Sequence, residues 1–462
     1  MFSIIGIMLV GVLIGYRFRA VKELKKVEKS IFLTILLLLF IFGKFMNNIF
    51  SFATGELSQD AFICWCINWI NEPDNVTTHR YRQLGLDLLA KLIDNLSEKN
   101  QLTNVDINSI DKIILVQQVL NIDVLAIIPQ YKLAIIIEDK TSTSEHGNQI
   151  KFYRESLEDV FKNKKPWNAY SKLEKAFKLV NLNIDHADIA NYHIHTVYFK
   201  TGYYFDYDWQ VAHSNSVDNY LTGPMFWDIL KNYYDCESDI LKGYCEHLKS
   251  QLDWYQAVSK IDGKYDDEEC HYIKWERITQ HGFLQVLFDN EGLDGNWLWK
   301  DMSTYTNQYS TGTNQGGSPW TNRRFWSRTE SEAIWSDPPT SFKPWMFWRV
   351  DHDSKGLYLS LRYYNNDSSE AGKVLRKRVY DKLNTMINET ILNELETLSS
   401  AYNQCVTRSL HGNYYENTLI HIGIEPVLAS WDENKGQPFI EWVRDIDYKL
   451  REVIKEFDWE KF

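Results

Sequence analysis

Residues 121–140, NIDVLAIIPQYKLAIIIEDK, constrain the fold more than any other part of the chain. They hold two apolar runs, 124–128 and 133–137, joined by a short polar turn at 129–132. Runs this short, rich in Val and Ile and separated by a Pro-containing turn, read as strands, and their unbroken apolar character places the hairpin in a sheet covered on both faces. Charges stand out against that background. Asp123 opens the first strand, and Glu138, Asp139 and Lys140 close the second. Side chains alternate along a strand, so Glu138 and Lys140 share one face about 6–7 Å apart while Asp139 points the other way. In an antiparallel hairpin the start of one strand lies beside the end of its partner, which brings Asp123 close to Glu138 and Lys140.

Two carboxylates converging at the rim of an apolar sheet repel each other unless a cation or a proton lies between them, and a nearby lysine compensates only in part. Oxygen ligands of this kind suit Mg²⁺ or Mn²⁺, which keep several waters and leave room for a phosphate. Such an ion lowers the pKa of a bound water, polarises a phosphoryl oxygen and stabilises the leaving group, with the lysine orienting the nucleophile or balancing charge. The chemistry suggested is phosphodiester hydrolysis. Strand-end surface charges with Lys140 as an ordinary salt-bridge partner would show the same spacing, which does not separate the two readings.

At these residues the chain resembles the PD-(D/E)XK nuclease superfamily, and within it an uncharacterised bacterial branch, with Asp123 as the first acid and Glu138-Asp139-Lys140 as the E-x-K. Upstream, Glu56 begins ELSQDAFICWCINWI, which resembles the family's first helix with its acidic residue; downstream, Gln149 and Tyr153 in NQIKFYRE resemble the Q-x-x-x-Y of the following helix. The resemblance covers about residues 55–205. It implies a restriction-endonuclease-like α/β fold with an α-β-β-β-α-β core and a metal-dependent nuclease, DNA preferred over RNA. It also implies roles: Asp123, Glu138 and the backbone carbonyl of Asp139 hold Mg²⁺ or Mn²⁺, Glu56 completes the shell, and Lys140 positions the attacking water.

Periodicity supplies the flanking elements. From Ser58, a candidate cap, the pattern is helical, with Phe62, Trp65, Trp69 and Ile70 near one face. Glu56 precedes it, where a carboxylate also favours the helix dipole, so capping competes with metal binding there. A second helix over 78–99 carries Leu84, Leu88, Leu89, Leu92 and Leu96 at core-facing spacing. Residues 113–120 read as the first strand, with Gln117 and Gln118 on opposite faces and one of them within reach of the site. A helix starts at Gln149, placing Gln149 and Tyr153 on one face where they could bond the substrate backbone or support Lys140 and the metal shell. Residues 191–201 alternate as a fourth core strand, parallel to its neighbour because a helix intervenes.

Composition sets the outer bounds. A chain of 462 residues, 44% hydrophobic and 24% charged, has room for two or three globular domains. Its net charge of −12 argues against a basic coat for nonspecific nucleic-acid binding, though a local basic cleft is compatible with it. Six scattered cysteines without C-x-x-C or zinc spacing read as free thiols in a reducing compartment. Residues 1–16 are almost entirely apolar, a run of Arg and Lys follows, and 31–50 form a second apolar run containing Lys44. These 50 residues read as a membrane anchor of one or two helices or as a helical hairpin buried against protein, and no small-residue cleavage site marks a removable signal. The basic loop belongs on the cytoplasmic side, which favours a bacterial inner-membrane protein with its domain inside if one segment spans.

Beyond residue 205 lies a helical and Trp-rich α+β extension, so that the expected organisation is 1–50 anchor, 51–205 nuclease core and 206–462 extension. Residues 226–255 suggest two helices, 356–364 an alternating strand, and 370–402 and 438–457 long helices. Seven tryptophans in 290–350 surround Arg323, Arg324 and Arg328. Such a mixture can stack bases and grip phosphates, or it can fill the core of a small β-rich subdomain. No P-loop, Rossmann glycine pattern or internal repeat is present. The function expected is a membrane-anchored, metal-dependent nuclease with nucleic acid as partner, in a role that fits defence against foreign DNA; the alternative is a non-catalytic nucleic-acid-binding or sensor module on the same fold. The pattern specifies no oligomeric state.

Overall fold

A computed structural model describes residues 48–455 apart from 54, 95–104, 163–166, 180–188, 260, 262–274, 290–298, 300–307, 315–316, 326–344, 354–355, 366, 403–405, 408–415, 429–430 and 432–435. The expected membrane anchor at 1–50 thus lies outside the described residues but for its last three. Among the described residues no helix is long and apolar enough to cross a membrane.

Helix α1 (Glu56–Asn68) starts two residues before Ser58, with Gly55 in the N-cap position, so Ser58 sits inside the first turn and not at the cap. Glu56 is the first helical residue, where the positive end of the helix dipole favours a carboxylate. Helix α2 (His79–Leu92) buries Leu84, Leu88, Leu89 and Leu92, the face that the leucine spacing specifies. A meander follows: β1 (Ile114–Val119), β2 (Ile122–Ile128) and β3 (Leu133–Lys140), antiparallel throughout, with Val124 opposite Ile137 and Ile128 opposite Leu133. The β2–β3 turn closes on Lys132 in the left-handed conformation, φ 48°.

Helices α3 (Gln149–Phe161) and α4 (Trp167–Leu179) carry the chain back to β4 (His193–Lys200), which runs parallel to β3 with Lys140 and Lys200 in register. After the short helix α5 (Asp206–Ala212), a strand absent from the sequence reading, β5 (Asn219–Thr222), adds to β4 in parallel. The sheet has five strands in the order β1-β2-β3-β4-β5. Four residues are too few to display a period, which is why β5 escapes pattern analysis.

Both faces of this sheet are covered. Val124, Ala126, Ile128, Ile135 and Ile137 pack under α1, α2, α6 (Gly223–Leu230) and α7 (Asp239–Val258). The alternate residues Leu125, Ile127, Ala134 and Ile136 pack under Tyr153 and Leu157 of α3 and Leu173 and Phe177 of α4. Each fully buried Ile contributes about 1.5–3 kcal/mol, and the run at 135–137 reads as continuously apolar because it serves two cores at once.

The rest of the described chain builds a second sheet: α8 (Arg277–Phe288), β6 (Tyr309–Thr313), β7 (Pro319–Arg324), β8 (Trp345–Asp353), β9 (Gly356–Tyr364), α9 (Glu370–Ala401), β10 (Val406–Thr407), β11 (Glu416–Gly423), α10 (Glu425–Leu428) and α11 (Gln437–Lys455). Its six antiparallel strands run β10-β11-β9-β8-β7-β6. One face, with Trp348, Val350, Leu359 and Leu361, shares a core with Val379 and Leu383 of α9 and Val443 and Ile446 of α11. Trp348 is fully buried and its indole N–H donates to Asp447 at 2.7 Å.

Of the two readings of the Trp-rich region, the described residues show the β-rich packed subdomain. Trp320 lies beneath the Arg349 guanidinium and Trp345 beneath that of Arg324, both at 4.8 Å, while Arg323 is buried against Asp289. Trp297, Trp326, Trp335 and Arg328 lie outside the described residues. The two units meet through Ile150, Tyr198 and Tyr203, which join the second core, and through buried Asp206, which accepts from the Tyr309 backbone N–H and pairs with His281, both at 3.1 Å.

Candidate active site

The hairpin register brings the charges of β2 and β3 together at the open end of the sheet. The Asp139 backbone N–H donates to Asp123 Oδ2 at 3.1 Å, which continues the ladder beyond its last residue pair and fixes that carboxylate beside β3. Lys140 Nζ lies 2.6 Å from Glu138 Oε1, 3.7 Å from Glu56 Oε2 and 3.8 Å from Asp123 Oδ2, and it donates to the Asp139 carbonyl at 3.0 Å. One ammonium is therefore surrounded by three carboxylates.

Burial makes that surplus consequential. Glu138 is 0% exposed; its Oε1 pairs with the Lys140 ammonium at 2.6 Å, and its Oε2 has no hydrogen-bond partner. Burial pushes the Glu138 carboxyl up to about 8; Lys140 opposes the rise and Asp123 adds to it. For Lys140 burial acts downward, but Glu138, then Asp123 and Glu56, outweigh it and hold the ammonium above its ordinary range.

The residues singled out by sequence gather here to differing degrees. Asp123, Glu138, Lys140 and the Asp139 carbonyl form the centre, and Glu56 reaches it from the start of α1, its carboxylate also accepting from the Thr143 hydroxyl. Gln149 donates to the Tyr153 hydroxyl at 3.2 Å and accepts from the His146 backbone N–H. Burial, then Glu138 and Asp123, push the Tyr153 hydroxyl up to about 12. Of the two glutamines on β1, Gln118 touches the site, donating to Asp123 Oδ1 at 3.4 Å from a residue at φ 53°.

Two polar groups behind β3 were missed by sequence reading. Gln59 and Asp60 are buried in α1, on the face of the sheet to which Asp139 points. Burial, then Asp123, raises Asp60 to about 7, and burial, then Asp60, holds Asp139 well above the usual carboxylate range. Gln59 Nε2 donates to Asp139 Oδ1 at 2.5 Å. The available signal was position: Gln59, Ile63, Cys66, Ile67 and Ile70 fall at i, i+4, i+7, i+8 and i+11, so a glutamine occupies a core slot.

The donor set fits Mg²⁺ or Mn²⁺. Two carboxylates and a backbone carbonyl are hard oxygen donors, and a buried carboxylate with one oxygen left without a hydrogen bond is what such an ion satisfies. Among the described residues no three His, Cys, Asp or Glu are grouped to hold a metal through side chains alone. The Lys140 ammonium is the cation among the carboxylates here, and Glu56 is drawn toward Thr143.

Residues 47–213 match the family model of the PD-(D/E)XK nuclease superfamily. Comparison with curated proteins and with solved structures gives no match. The matched segment spans every element that shapes the site, from Glu56 on α1 to α5. The five-stranded sheet with Asp123, Glu138 and Lys140 at its open end is consistent with the core of the PD-(D/E)XK nuclease superfamily that residues 47–213 match.

Proposed function

We propose that the chain is a metal-dependent nuclease that hydrolyses phosphodiester bonds, with DNA preferred over RNA. The observation that carries this reading is the buried Glu138 carboxylate, which shares one lysine with Asp123 and Glu56 and has its Oε2 without a hydrogen-bond partner. Asp123, Glu138 and the Asp139 carbonyl would hold Mg²⁺ or Mn²⁺, with Glu56 next to that set. The ion supplies charge neutralisation at the scissile phosphate and an acidified water.

The chain's own residues do the rest. Lys140, anchored to the Asp139 carbonyl and Glu138, holds the attacking water in line and offsets charge developing on the phosphoryl oxygens. Gln149 and Tyr153, bonded to each other on α3, would contact the substrate backbone or support Lys140 and the metal shell. The proposal extends to residues 1–50 as a membrane anchor, with the domain on the cytoplasmic side of a bacterial inner membrane and acting on foreign DNA. The supporting features there are the two apolar runs and the basic loop between them.

The test is incubation of the full chain in detergent with linear, circular and single-stranded DNA and with RNA, in Mg²⁺, Mn²⁺ or EDTA. Metal-dependent cleavage that disappears in Asp123→Ala is the expected outcome. Binding of nucleic acid without cleavage in any metal would replace the nuclease with a binding or sensor module.

A further inference from the structure

Behind the catalytic strand, one uncharged side chain joins four elements. Gln59, 4% exposed on α1, donates through Nε2 to Asp139 Oδ1 at 2.5 Å and to the Lys140 carbonyl at 3.4 Å, both on β3. Its Oε1 accepts from the Thr201 hydroxyl at 2.7 Å, just past the end of β4, and from the Tyr244 hydroxyl of α7 at 3.0 Å. Nε2 faces a carboxyl oxygen and a carbonyl, which accept, and both hydroxyls are free to donate, so Nε2 is committed to β3 and Oε1 to the hydroxyls. Tyr244 is itself stacked on Phe62 at 3.7 Å, and Phe50 packs edge-on against both rings. The junction is thus rigid on the side away from the site.

This bears on the residues that matter most for cleavage. Asp139 supplies the carbonyl that faces the Lys140 ammonium, and Lys140 follows it. Gln59 holds the side chain of the first and the carbonyl of the second, and so sets the tilt of the peptide between them. We infer that Gln59 is a positioning residue: through Asp139 and the Lys140 carbonyl it fixes the orientation in which β3 presents the Asp139 carbonyl to a divalent cation and Lys140 to the nucleophile. The inference rests on the nuclease reading above and adds a residue that touches neither metal nor substrate.

Two variants and two readouts test it on the full chain. Gln59→Met keeps the length of the side chain and removes the donor; Gln59→Glu keeps both acceptor bonds from Thr201 and Tyr244 but turns a second carboxylate oxygen toward Asp139. Mn²⁺ binding by titration calorimetry and cleavage of linear DNA are measured, with rates normalised to the folded fraction. Each single variant is expected to weaken Mn²⁺ binding and to lower kcat by about 10–100-fold, the range for groups that orient metal ligands, with KM for DNA changed less than about threefold. Combining Gln59→Glu with Asp139→Asn restores a donor-to-acceptor pair with its polarity reversed, and expected is recovery of at least about tenfold in kcat over Gln59→Glu alone.

Wild-type Mn²⁺ affinity and kcat in folded Gln59→Met would overturn the inference while leaving the nuclease reading in place. So would a double variant no better than Gln59→Glu. A wild-type chain that neither binds Mn²⁺ nor cleaves any nucleic acid would overturn the nuclease reading and this inference with it.

Discussion

Lys140 and Lys200 stand side by side at the ends of two parallel strands, in register and nearly buried, at 6% and 1% exposed. Their surroundings differ. Lys200 faces one carboxylate, Asp208, at 2.7 Å, and that carboxylate is saturated by the Tyr198 hydroxyl at 2.6 Å and the Phe205 backbone N–H at 3.0 Å. Lys140 faces Glu138, Glu56 and Asp123, and Glu138 Oε2 is left without a hydrogen bond. The protonation tendencies diverge accordingly: burial outweighs Asp208 and lowers Lys200, whereas for Lys140 the carboxylates outweigh burial. A buried charge whose partner is fully satisfied is a clamp. A buried charge among surplus acceptors marks a place that takes a further cation.

The contrast can be broken at either lysine. The largest effect belongs to Lys140→Ala, expected to lower cleavage per folded molecule about 10³-fold or more, read by activity normalised to the folded fraction. Asp208→Ala inverts the pattern. It strands the Lys200 ammonium in the core and should cost about 3–5 kcal/mol in urea unfolding, with cleavage per folded molecule falling far less than in Lys140→Ala. If Asp208→Ala leaves stability untouched, the clamp half of the comparison is wrong.

A smaller effect is expected on the same strand β4. His195 is fully buried, its Nε2–H directed at the Leu92 carbonyl at 3.1 Å and its Nδ1 3.8 Å from Asp218. Burial lowers its pKa to about 4 despite Asp218. The folded state prefers the neutral ring, so this contribution is complete above the unfolded value of about 6.5 and is lost as pH falls from there toward 4, about 3 kcal/mol in all. Urea midpoints at pH 7.5, 5.5 and 4.5, compared between wild type and His195→Gln, isolate it. The smallest effect lies in the second sheet: Trp348→Phe leaves a cavity and an unpartnered Asp447 oxygen, for about 1–2 kcal/mol of lost stability and no change in cleavage.

The hairpin and its charges were legible in sequence for a local reason. The turn is short, the strands are unbroken, and a period of two leaves one register that buries both faces, so Asp123 had to meet Glu138 and Lys140. The superfamily resemblance of residues 55–205 carried Glu56, Gln149 and Tyr153, and the segment 47–213 that matches the family model contains them. Contacts formed over long sequence separations were not legible. Gln59 meets Tyr244, 185 residues away, and nothing in either neighbourhood announces the other. Asp208 and Lys200 are close in sequence, yet their pairing depends on how α5 folds back on β4, which a seven-residue helix does not disclose. In the second sheet composition alone left aromatic and basic residues open to two uses, and cross-strand geometry shows the described ones engaged with each other.

The claim on which the rest depends is that surplus carboxylate at the end of β3 takes a divalent cation. Diffraction from crystals of the chain grown with Mn²⁺, with anomalous differences collected at the manganese edge, tests it most directly. Expected is a peak bonded to Asp123, Glu138 and the Asp139 carbonyl, and its loss in crystals of Glu138→Gln. Crystals saturated with Mn²⁺ that show Lys140 still seated among the three carboxylates and no peak beside them would contradict it.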